Sequence, residues 1–387
     1  MIRRVELRNY RGIEHCDVAL GPLMFLVGPN ASGKSNFLDA LRFVSDCLNT
    51  SVDQAIRVRG GFKQLCRQGS GNSFSLRLTT AFGNLGTAEY VLEIAAGPTR
   101  SFEIAVEDCR LTGVLGSTVE GYERRRGSVA FSFPLGIDLG DGESNPPQTS
   151  DRLYLGALAG WPMFGLIYRF LSTMAFYNPL TIPMREYQSQ DPGSRLTSNA
   201  SNLASVFRTM RETHPDWAER IIQYLTVAVP RLRKVVDVEV GERITLRFTE
   251  ASIGGPERTF YASSMSDGTL RMLAILLAIF QRSEQDTSLV GIEEPELGVH
   301  PAAAEVLYDS LETASRLRQV LVTTHSSELL ERDDVDLNSI LAFSAEGDST
   351  LVEPLDDTVR SILQQKLSTP GEMLRKDLLG PQRFVAR

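Results

Sequence analysis

The sequence predicts an α/β fold with a mixed β-sheet core, a flanking antiparallel sheet and an inserted helical arm. The apolar run Leu23–Val27 ends in a glycine-rich turn, and apolar residues then recur at helical spacing over Ser35–Cys47. From Ser264 onward, helical patterns and short apolar strands alternate again. Because a continuous apolar strand is typical of a sheet that is buried on both faces, we expect these two regions to share one core.

The rest of the N-terminal part is predicted to be mostly β-structure. Residues 2–8 and 17–20 carry apolar positions at strand spacing and precede the apolar run, which gives three short strands in total. Residues 73–109 read as antiparallel strands that are separated by turn signals. Residues 111–150 are rich in glycine, serine, proline and charge, which predicts a mobile hairpin or loop that includes Glu123–Arg126.

Residues 152–230 are predicted to be mostly helical. Three prolines interrupt the helical pattern between residues 178 and 194, and a further break at Pro215 separates two helices. A hairpin follows, with strands Val235–Val240 and Ile244–Phe248 around a Gly-Glu turn. We therefore predict an N-terminal lobe over 1–150, a helical arm over 151–232 and a C-terminal lobe over 233–387.

Composition and charge exclude several classes of protein. The chain has 387 residues with 42% hydrophobic and 23% charged residues, which is typical of a globular protein. Its 40 basic and 48 acidic residues give a net charge of −8, which argues against a DNA binder that relies on a basic tail. The four cysteines form no CxxC pair, so neither a zinc site nor a disulfide framework is indicated.

Location is predicted from the apolar segments. The N-terminus lacks the apolar region of a signal peptide. The longest apolar run, Met272–Phe280, is nine residues long, whereas a membrane span needs about 20. We expect a cytoplasmic protein without a membrane partner, in which this run forms a buried helix.

The strongest motif is GPNASGKS over residues 28–35, which fits GxxxxGK[ST] between an apolar strand and a helix. In such a P-loop the backbone N–H groups close around phosphate at the positive end of the helix. Lys34 would reach the β- and γ-phosphates, and the Ser35 hydroxyl would be a ligand of Mg²⁺. The predicted phosphate-binding residues are Asn30, Ala31, Ser32, Gly33, Lys34 and Ser35.

A second motif ends the apolar strand that begins near residue 288. Glu293 and Glu294 follow the apolar residues directly, as a Walker B pair does beside a P-loop. Glu293 is predicted to hold Mg²⁺, and Glu294 to orient or deprotonate the attacking water. Asp is more usual at the first position, so the longer Glu293 side chain changes the reach to the metal. Glu296 is interpreted as structural.

Two further polar positions flank apolar elements. His325 ends the apolar strand that begins at Val320, where a histidine can contact the γ-phosphate. Ser266 and Gly268 precede the apolar helix before the second motif. Taken alone, that sequence predicts a helix N-cap and nothing more.

In their order, GPNASGKS, SDGT, IEEPE, Gly298–Pro301 and TTHS resemble the ABC-type ATPase heads of the RecF/SMC/OLD superfamily. The resemblance covers residues 1–50 and 260–345 well and the middle only loosely. It implies a P-loop NTPase head that binds ATP and Mg²⁺ and hydrolyses ATP. It also implies that Ser266 and Gly268 bind the γ-phosphate held by the other protomer, and that Gly298–Pro301 is the D-loop at the dimer interface.

The resemblance does not decide the roles of several other residues. Gln64 is either the Q-loop residue or an ordinary polar residue, and Arg11 is expected near the nucleotide. Arg124–Arg126 reads as a solvated run or as a contact for DNA or a partner. Asp334 and Asp336 mimic a TOPRIM nuclease motif, but an acidic loop is the preferred interpretation, and we expect no nuclease domain after His325. The residues between Lys34 and Ser264 lack sustained heptads, so SMC-type coiled coils are not expected.

The resemblance therefore implies a switch. A homodimer or higher homo-oligomer would close around two ATP–Mg²⁺ and regulate a separately encoded effector, a nuclease or toxin, in DNA-linked or anti-phage defence. The alternative is a RecF-like recombination or repair ATPase that binds DNA directly. A transporter subunit is disfavoured, because the aspartate in SDGT and the inserted segment resemble those of non-membrane relatives.

Overall fold

A computed structural model describes residues 1–69, 71–97, 101–113, 119–126, 128–132, 149–252, 254–282 and 287–382. The strands, in chain order, are β1 Ile2–Tyr10, β2 Ile13–Ala19, β3 Leu23–Val27, β4 Ser73–Ala81, β5 Thr87–Ala95, β6 Glu103–Thr112, β7 Val119–Arg125, β8 Ser128–Ser132, β9 Ala175–Tyr177, β10 Gln188–Ser189, β11 Leu232–Val240, β12 Arg243–Ser252, β13 Gly255–Tyr261, β14 Leu289–Glu293, β15 Gln319–Thr324, β16 Ile340–Glu346 and β17 Ser349–Pro354. The helices are α1 Lys34–Asn49, α2 Val52–Arg57, α3 Phe62–Leu65, α4 Tyr154–Ala157, α5 Pro162–Ser172, α6 Thr181–Arg185, α7 Leu203–Thr213, α8 Pro215–Ala228, α9 Asp267–Phe280, α10 Ala304–Ser315, α11 Asp357–Gln364 and α12 Pro370–Arg375.

The central sheet has the strand order β17-β16-β3-β15-β14-β9, and only β17 is antiparallel. Every residue of β3 and β15 is buried, as their continuous apolar sequences predict. Along β3, Phe25 and Val27 belong to one hydrophobic core, while Met24 and Leu26 belong to the other. The central sheet therefore separates two cores, as predicted for an α/β fold.

The flanking sheet is antiparallel, with the order β2-β1-β4-β5-β6-β7-β8. Its buried residues pack with the apolar face of α1, so α1 lies between this sheet and the central one. The antiparallel strands predicted for 73–109 are confirmed. The segment 111–150, predicted to be a loop or hairpin, contributes the hairpin β7–β8, and its residues 114–118, 127 and 133–148 lie outside the described part.

Residues 151–232 contain the helices α4 to α8, and these pack onto the body of the molecule. The three-residue strand β9 joins the central sheet next to β14. Phe207 of α7 and Ile221 of α8 are fully buried in the core that contains α9. Trp217 and Tyr224 stack on Phe280 with ring centroids 5.6 and 5.7 Å apart. The apolar faces of this segment are therefore covered by α9.

A second small sheet completes the molecule. β11 and β12 form the predicted hairpin, and Gly241 takes a positive φ of 62° in its turn. β10 and β13 both pair with β12. The run Met272–Phe280 lies in α9 and is buried on all sides, as predicted. Within the described residues, every helix is too short or too polar to cross a membrane.

Candidate functional site

The predicted site residues follow strands that end at the same edge of the central sheet. Val27 of β3 pairs with Thr324 of β15, and Glu293 of β14 pairs with Thr323. Because these strands are parallel, the P-loop, Glu294 and His325 all begin where their strands end. Ligands of open α/β sheets bind at this carboxyl edge, so the predicted residues share the expected position.

The P-loop is fixed by conformation and by close packing. Gly28 has a φ of 147°, and a Cβ on it would lie 2.2 Å from the Phe343 carbonyl oxygen. Gly33 has a φ of 97°, and its Cβ would lie 2.5 Å from Oγ1 of Thr350. α1 begins at Lys34 without a side-chain cap and without an acidic residue in its first turn. Its N–H groups are therefore left for an anion.

Lys34 lies against the loop that precedes it. Its Nζ donates hydrogen bonds to the carbonyl oxygens of Gly28 and Pro29, both at 2.7 Å. Burial lowers the pKa of Lys34, while the carboxylates of Glu294 and Glu296 act to raise it. The ammonium group therefore lies on the P-loop backbone, within electrostatic reach of the two glutamates.

Ser35 and Glu293 form the candidate metal site. The Ser35 hydroxyl donates a hydrogen bond to Oε2 of Glu293 at 2.9 Å, although the two residues are 258 positions apart. A hydroxyl and a carboxylate oxygen are the hard donors that Mg²⁺ prefers, together with substrate phosphates. The pair therefore fits the predicted ligands, and the longer glutamate side chain does reach the serine.

Glu294 has a strained backbone, with a φ of 45°. Its N–H donates to the carbonyl oxygen of Thr323 at 3.0 Å, and Arg271 Nη2 lies 3.4 Å from its carbonyl oxygen. Its Oε1 lies 3.5 Å from Nδ1 of His325. Strain of this kind persists where surrounding contacts hold it, and it is common at active sites.

Glu296 follows β14 and contacts the end of β15 through hydrogen bonds. Its Oε1 accepts a hydrogen bond from the Thr324 hydroxyl at 2.7 Å and a longer one from the His325 N–H at 3.4 Å. Burial raises the pKa of Glu296. These contacts agree with a structural role in which Glu296 holds the segment that carries His325.

The predicted signature residues lie at the start of α9. The Ser266 hydroxyl caps this helix by accepting from the Thr269 N–H at 3.2 Å. A Cβ on Gly268 would lie 2.3 Å from the carbonyl oxygen of Gly298, so the signature packs directly on the predicted D-loop. Both line a groove of about 700 Å³, and its lining includes no P-loop residue.

Arg11 and Gln64 come together in a different cavity, of about 630 Å³. Arg11 takes a φ of 49° and lies 3.0 Å from the Asp39 carboxylate of α1. Its Nη1 also donates to Oδ1 of Asn36 at 3.4 Å, which places the cavity beside the first turns of α1. Lys63 and Arg67 line it too, so most of its charged side chains are basic.

Sequence reasoning missed Asn178. It directly follows β9, in which Tyr177 pairs with Ile292 of β14, so parallel register puts Asn178 level with Glu293. Asn178 is exposed at the same edge of the sheet as Glu293. The signal was a short apolar stretch, Ala175–Tyr177, that ends in a polar residue and a proline, but three residues are too few to identify a strand by periodicity.

The other open residues have local partners. Arg124 is buried and donates to the carbonyl oxygens of Arg152 and Thr149, so it is not part of a solvated run. Asp334 pairs with Arg332 at 2.9 Å. Asp336 caps a short 3-10 helix by accepting from the Asn338 N–H. The acidic-loop interpretation therefore accounts for both aspartates.

Comparison with known proteins adds family evidence. Residues 1–93 match a family described as "AAA ATPase domain", and residues 190–331 match "AAA domain, putative AbiEii toxin, Type IV TA system". The chain is 23% identical to an OLD nuclease of Thermus scotoductus, over 100% of this chain and 71% of the relative.

Solved structures agree on the fold. An SMC head bound to the C-terminal winged-helix domain of ScpA has a TM-score of 0.55 at 12% identity, covering 93% of this chain and 99% of that one. An SMC head with an extended coiled coil, bound to the C-terminal domain of ScpA from Pyrococcus furiosus, has a TM-score of 0.52 at 10% identity, covering 95% and 99%. Together, the ordered motifs, the two matching ATPase-domain families and this fold support a RecF/SMC/OLD-like ABC-type ATPase.

Proposed function

We propose that this chain binds ATP with Mg²⁺ at the carboxyl edge of its central sheet and hydrolyses it to ADP and phosphate. The observation that carries the proposal is the convergence of three motifs, distant in sequence, at that edge. The 2.9 Å contact between Ser35 and Glu293 joins the first to the second, and the 3.5 Å contact between Glu294 and His325 joins the second to the third.

The P-loop would hold the phosphates. Backbone N–H groups of residues 30–35 surround the anion, and Lys34 exchanges its two carbonyl contacts for the β- and γ-phosphate oxygens. Ser35 and Glu293 would hold Mg²⁺, which neutralises charge that develops on the phosphates. The cavity with Arg11 and Gln64 lies beside α1 and would take the nucleoside part of ATP.

Hydrolysis would depend on Glu294 and His325. The Glu294 carboxylate orients the attacking water and accepts its proton, while His325 contacts the γ-phosphate. The left-handed backbone of Glu294 fixes the position from which its side chain starts, and its carboxylate lies 3.5 Å from Nδ1 of His325. Asn178, level with Glu293 on the neighbouring strand, is a candidate for a further polar contact at the γ-phosphate end.

We propose that two chains complete each other's sites. Ser266 and Gly268 lie with the D-loop on a groove whose lining includes no P-loop residue. In a two-fold dimer, this surface of one chain would face the P-loop of the other, and two ATP molecules would be enclosed. ATP would favour the closed form because its γ-phosphate contacts both chains, and hydrolysis would release it.

The proposed biological role is regulation of a separately encoded effector, a nuclease or toxin, in cytoplasmic anti-phage or DNA-linked defence. The names of the matching proteins connect ATPase domains of this kind with nuclease and toxin functions, since one relative is called a nuclease and one family description includes a toxin. Direct action on DNA is the alternative. On the outer face of the flanking sheet, Arg4 pairs with Asp17 and Arg77 pairs with Glu89, which leaves these cations neutralised where a DNA-binding face would offer them to phosphate.

Two variants test the enzymatic proposal. Lys34→Ala should abolish ATP binding, because it removes the ammonium group of the P-loop. Glu294→Gln should retain ATP binding but hydrolyse it about 10²- to 10⁴-fold more slowly, which is the usual contribution of a general base. ATP binding and phosphate release are measured separately, and Glu312→Gln on the exposed face of α10 serves as the control. Wild-type hydrolysis by Glu294→Gln would show that another group orients the water.

A further inference from the structure

Arg271 is a buried cation that contacts two strand ends of the proposed ATP site. It lies in α9, just after Ser266 and Gly268, and is only 7% exposed. Its Nη1 donates to the carbonyl oxygen of Pro179 at 2.7 Å, immediately after Asn178. Its Nη2 donates to the carbonyl oxygen of Glu294 at the longer distance of 3.4 Å. One side chain therefore touches both the segment after β9 and the turn after β14.

This burial is unusual enough to need an explanation. Burial lowers the pKa of Arg271, although Glu294, Glu296 and Asp267 act to raise it. A buried cation is costly, and an apolar residue at the same position in an otherwise apolar helix would pack without that cost. The guanidinium directs its hydrogen bonds to main-chain carbonyls, so it fixes the course of the backbone at these two points.

Glu294 is one of the two points at which Arg271 holds the backbone, and its conformation is unusual. Its φ of 45° is unfavourable for a residue with a side chain, so contacts on both sides must hold it. The Thr323 carbonyl oxygen accepts a hydrogen bond from the Glu294 N–H, and the Glu294 carbonyl oxygen accepts one from the Leu297 N–H at 3.1 Å and a longer one from Arg271 at 3.4 Å. The peptide unit before the Glu294 Cα is therefore held by β15, and the unit after it by its own turn and by α9.

We infer that Arg271 is a positioning residue, which holds the Glu294 backbone and the Asn178–Pro179 segment at a fixed distance from the start of α9. The inference rests on the proposed function, because Glu294 is the residue proposed to orient water. As a consequence, α9 has two roles. Its first residues face the partner chain, and its Arg271 sets the position of Glu294 in the same chain. Arg271 need not touch ATP to do so.

The test compares Arg271→Lys and Arg271→Gln with Arg318→Lys. Arg318 is equally buried and donates to the Gln281 carbonyl oxygen at 3.1 Å, but it lies before β15, at the opposite end of that strand from His325. We expect Arg271→Gln to lower kcat about 10- to 100-fold, with ATP affinity within about twofold of wild type. Arg271→Lys should recover part of kcat, because its ammonium group can still reach the Pro179 carbonyl. Arg318→Lys should lower Tm by an amount similar to that of the Arg271 variants and leave kcat unchanged.

A second readout does not depend on activity. Amide hydrogen exchange in residues 178–185 and 294–299 should become faster in Arg271→Gln and stay at the wild-type rate in Arg318→Lys. Unchanged exchange in both segments, or a kcat loss that only follows Tm in all variants, would overturn the inference. Absence of hydrolysis in the wild-type chain would instead overturn the proposed function, and the exchange measurement would still decide the role of Arg271.

Discussion

At the scale of single residues, the P-loop depends on atoms that face it from another part of the chain. Gly33 combines a φ of 97° with the Thr350 side chain, which would lie 2.5 Å from an added Cβ. Gly61 has nearly the same φ, 99°, but an added Cβ would meet nothing within 4 Å. The two glycines therefore separate the effect of conformation from the effect of space.

We predict that Gly33→Ala weakens ATP binding by about tenfold or more and lowers Tm by several degrees, since strain of about 1–3 kcal/mol adds to a steric clash. Gly61→Ala is the matched control and should show only the smaller loss of Tm. The measurements are ATP affinity and thermal unfolding. Adding Thr350→Ala to Gly33→Ala should restore part of both, and equal behaviour of the two single variants would rule out the packing explanation.

The convergence of the predicted site residues was easier to predict than their local geometry. Lys34 and His325 come after continuous apolar strands and Glu293 ends one, and parallel strands bring these ends together. The left-handed backbone of Glu294 was not predictable, because its contacts with Thr323 and Arg271 come from distant parts of the sequence. The ion pairs of Arg124 with Glu107 and of Arg126 with Glu103 were equally hidden, since charge in the sequence does not show which partner lies on the neighbouring strand.

At the scale of elements, β9 decides which polar residue lies next to the predicted metal site. The sequence offered Gln64 for a Q-loop role, and the structure places it in the cavity with Arg11. Asn178 instead lies beside Glu293, at the end of a strand of only three residues. Such a strand was not predictable, because it is too short for periodicity and is recognised only by its pairing with β14.

We predict that Asn178→Ala lowers kcat about tenfold with little change in ATP affinity, since it removes the proposed polar contact at the γ-phosphate end. Gln64→Ala should weaken ATP binding and leave kcat close to wild type, because its cavity would hold the nucleoside. Steady-state kinetics and equilibrium ATP binding distinguish the two effects. The reverse pattern, with kcat lost only in Gln64→Ala, would return the Q-loop role to Gln64.

The helices of 151–232 show a second limit of sequence reasoning. α7 and α8 have clear apolar faces, and the break at Pro215 was predicted correctly. A sequence shows that such faces must be covered, but it does not show by what. Here α9 covers them, because it is apolar on all sides and offers Phe280 to Trp217 and Tyr224.

At the scale of the whole molecule, the chain presents two surfaces with different chemistry. One is the carboxyl edge of the central sheet, which carries Lys34 and Glu294. The other is the groove with Ser266, Gly268 and the D-loop. The overall fold was predictable because the alternation of apolar strands and helices is visible in both parts of the sequence that carry these motifs. Assembly is a separate question, since the proposed signature would contribute to an ATP site only in the presence of a second chain.

The proposed composite ATP site is tested most directly by the mass in solution of the Glu294→Gln protein, with and without ATP–Mg²⁺. We predict a change from monomer to dimer on addition of ATP, because the variant holds the γ-phosphate that both chains contact. Ser266→Arg in the same background should bind ATP and stay monomeric. A mass that ATP does not change, or a Ser266→Arg protein that still dimerises with ATP, would contradict the composite site.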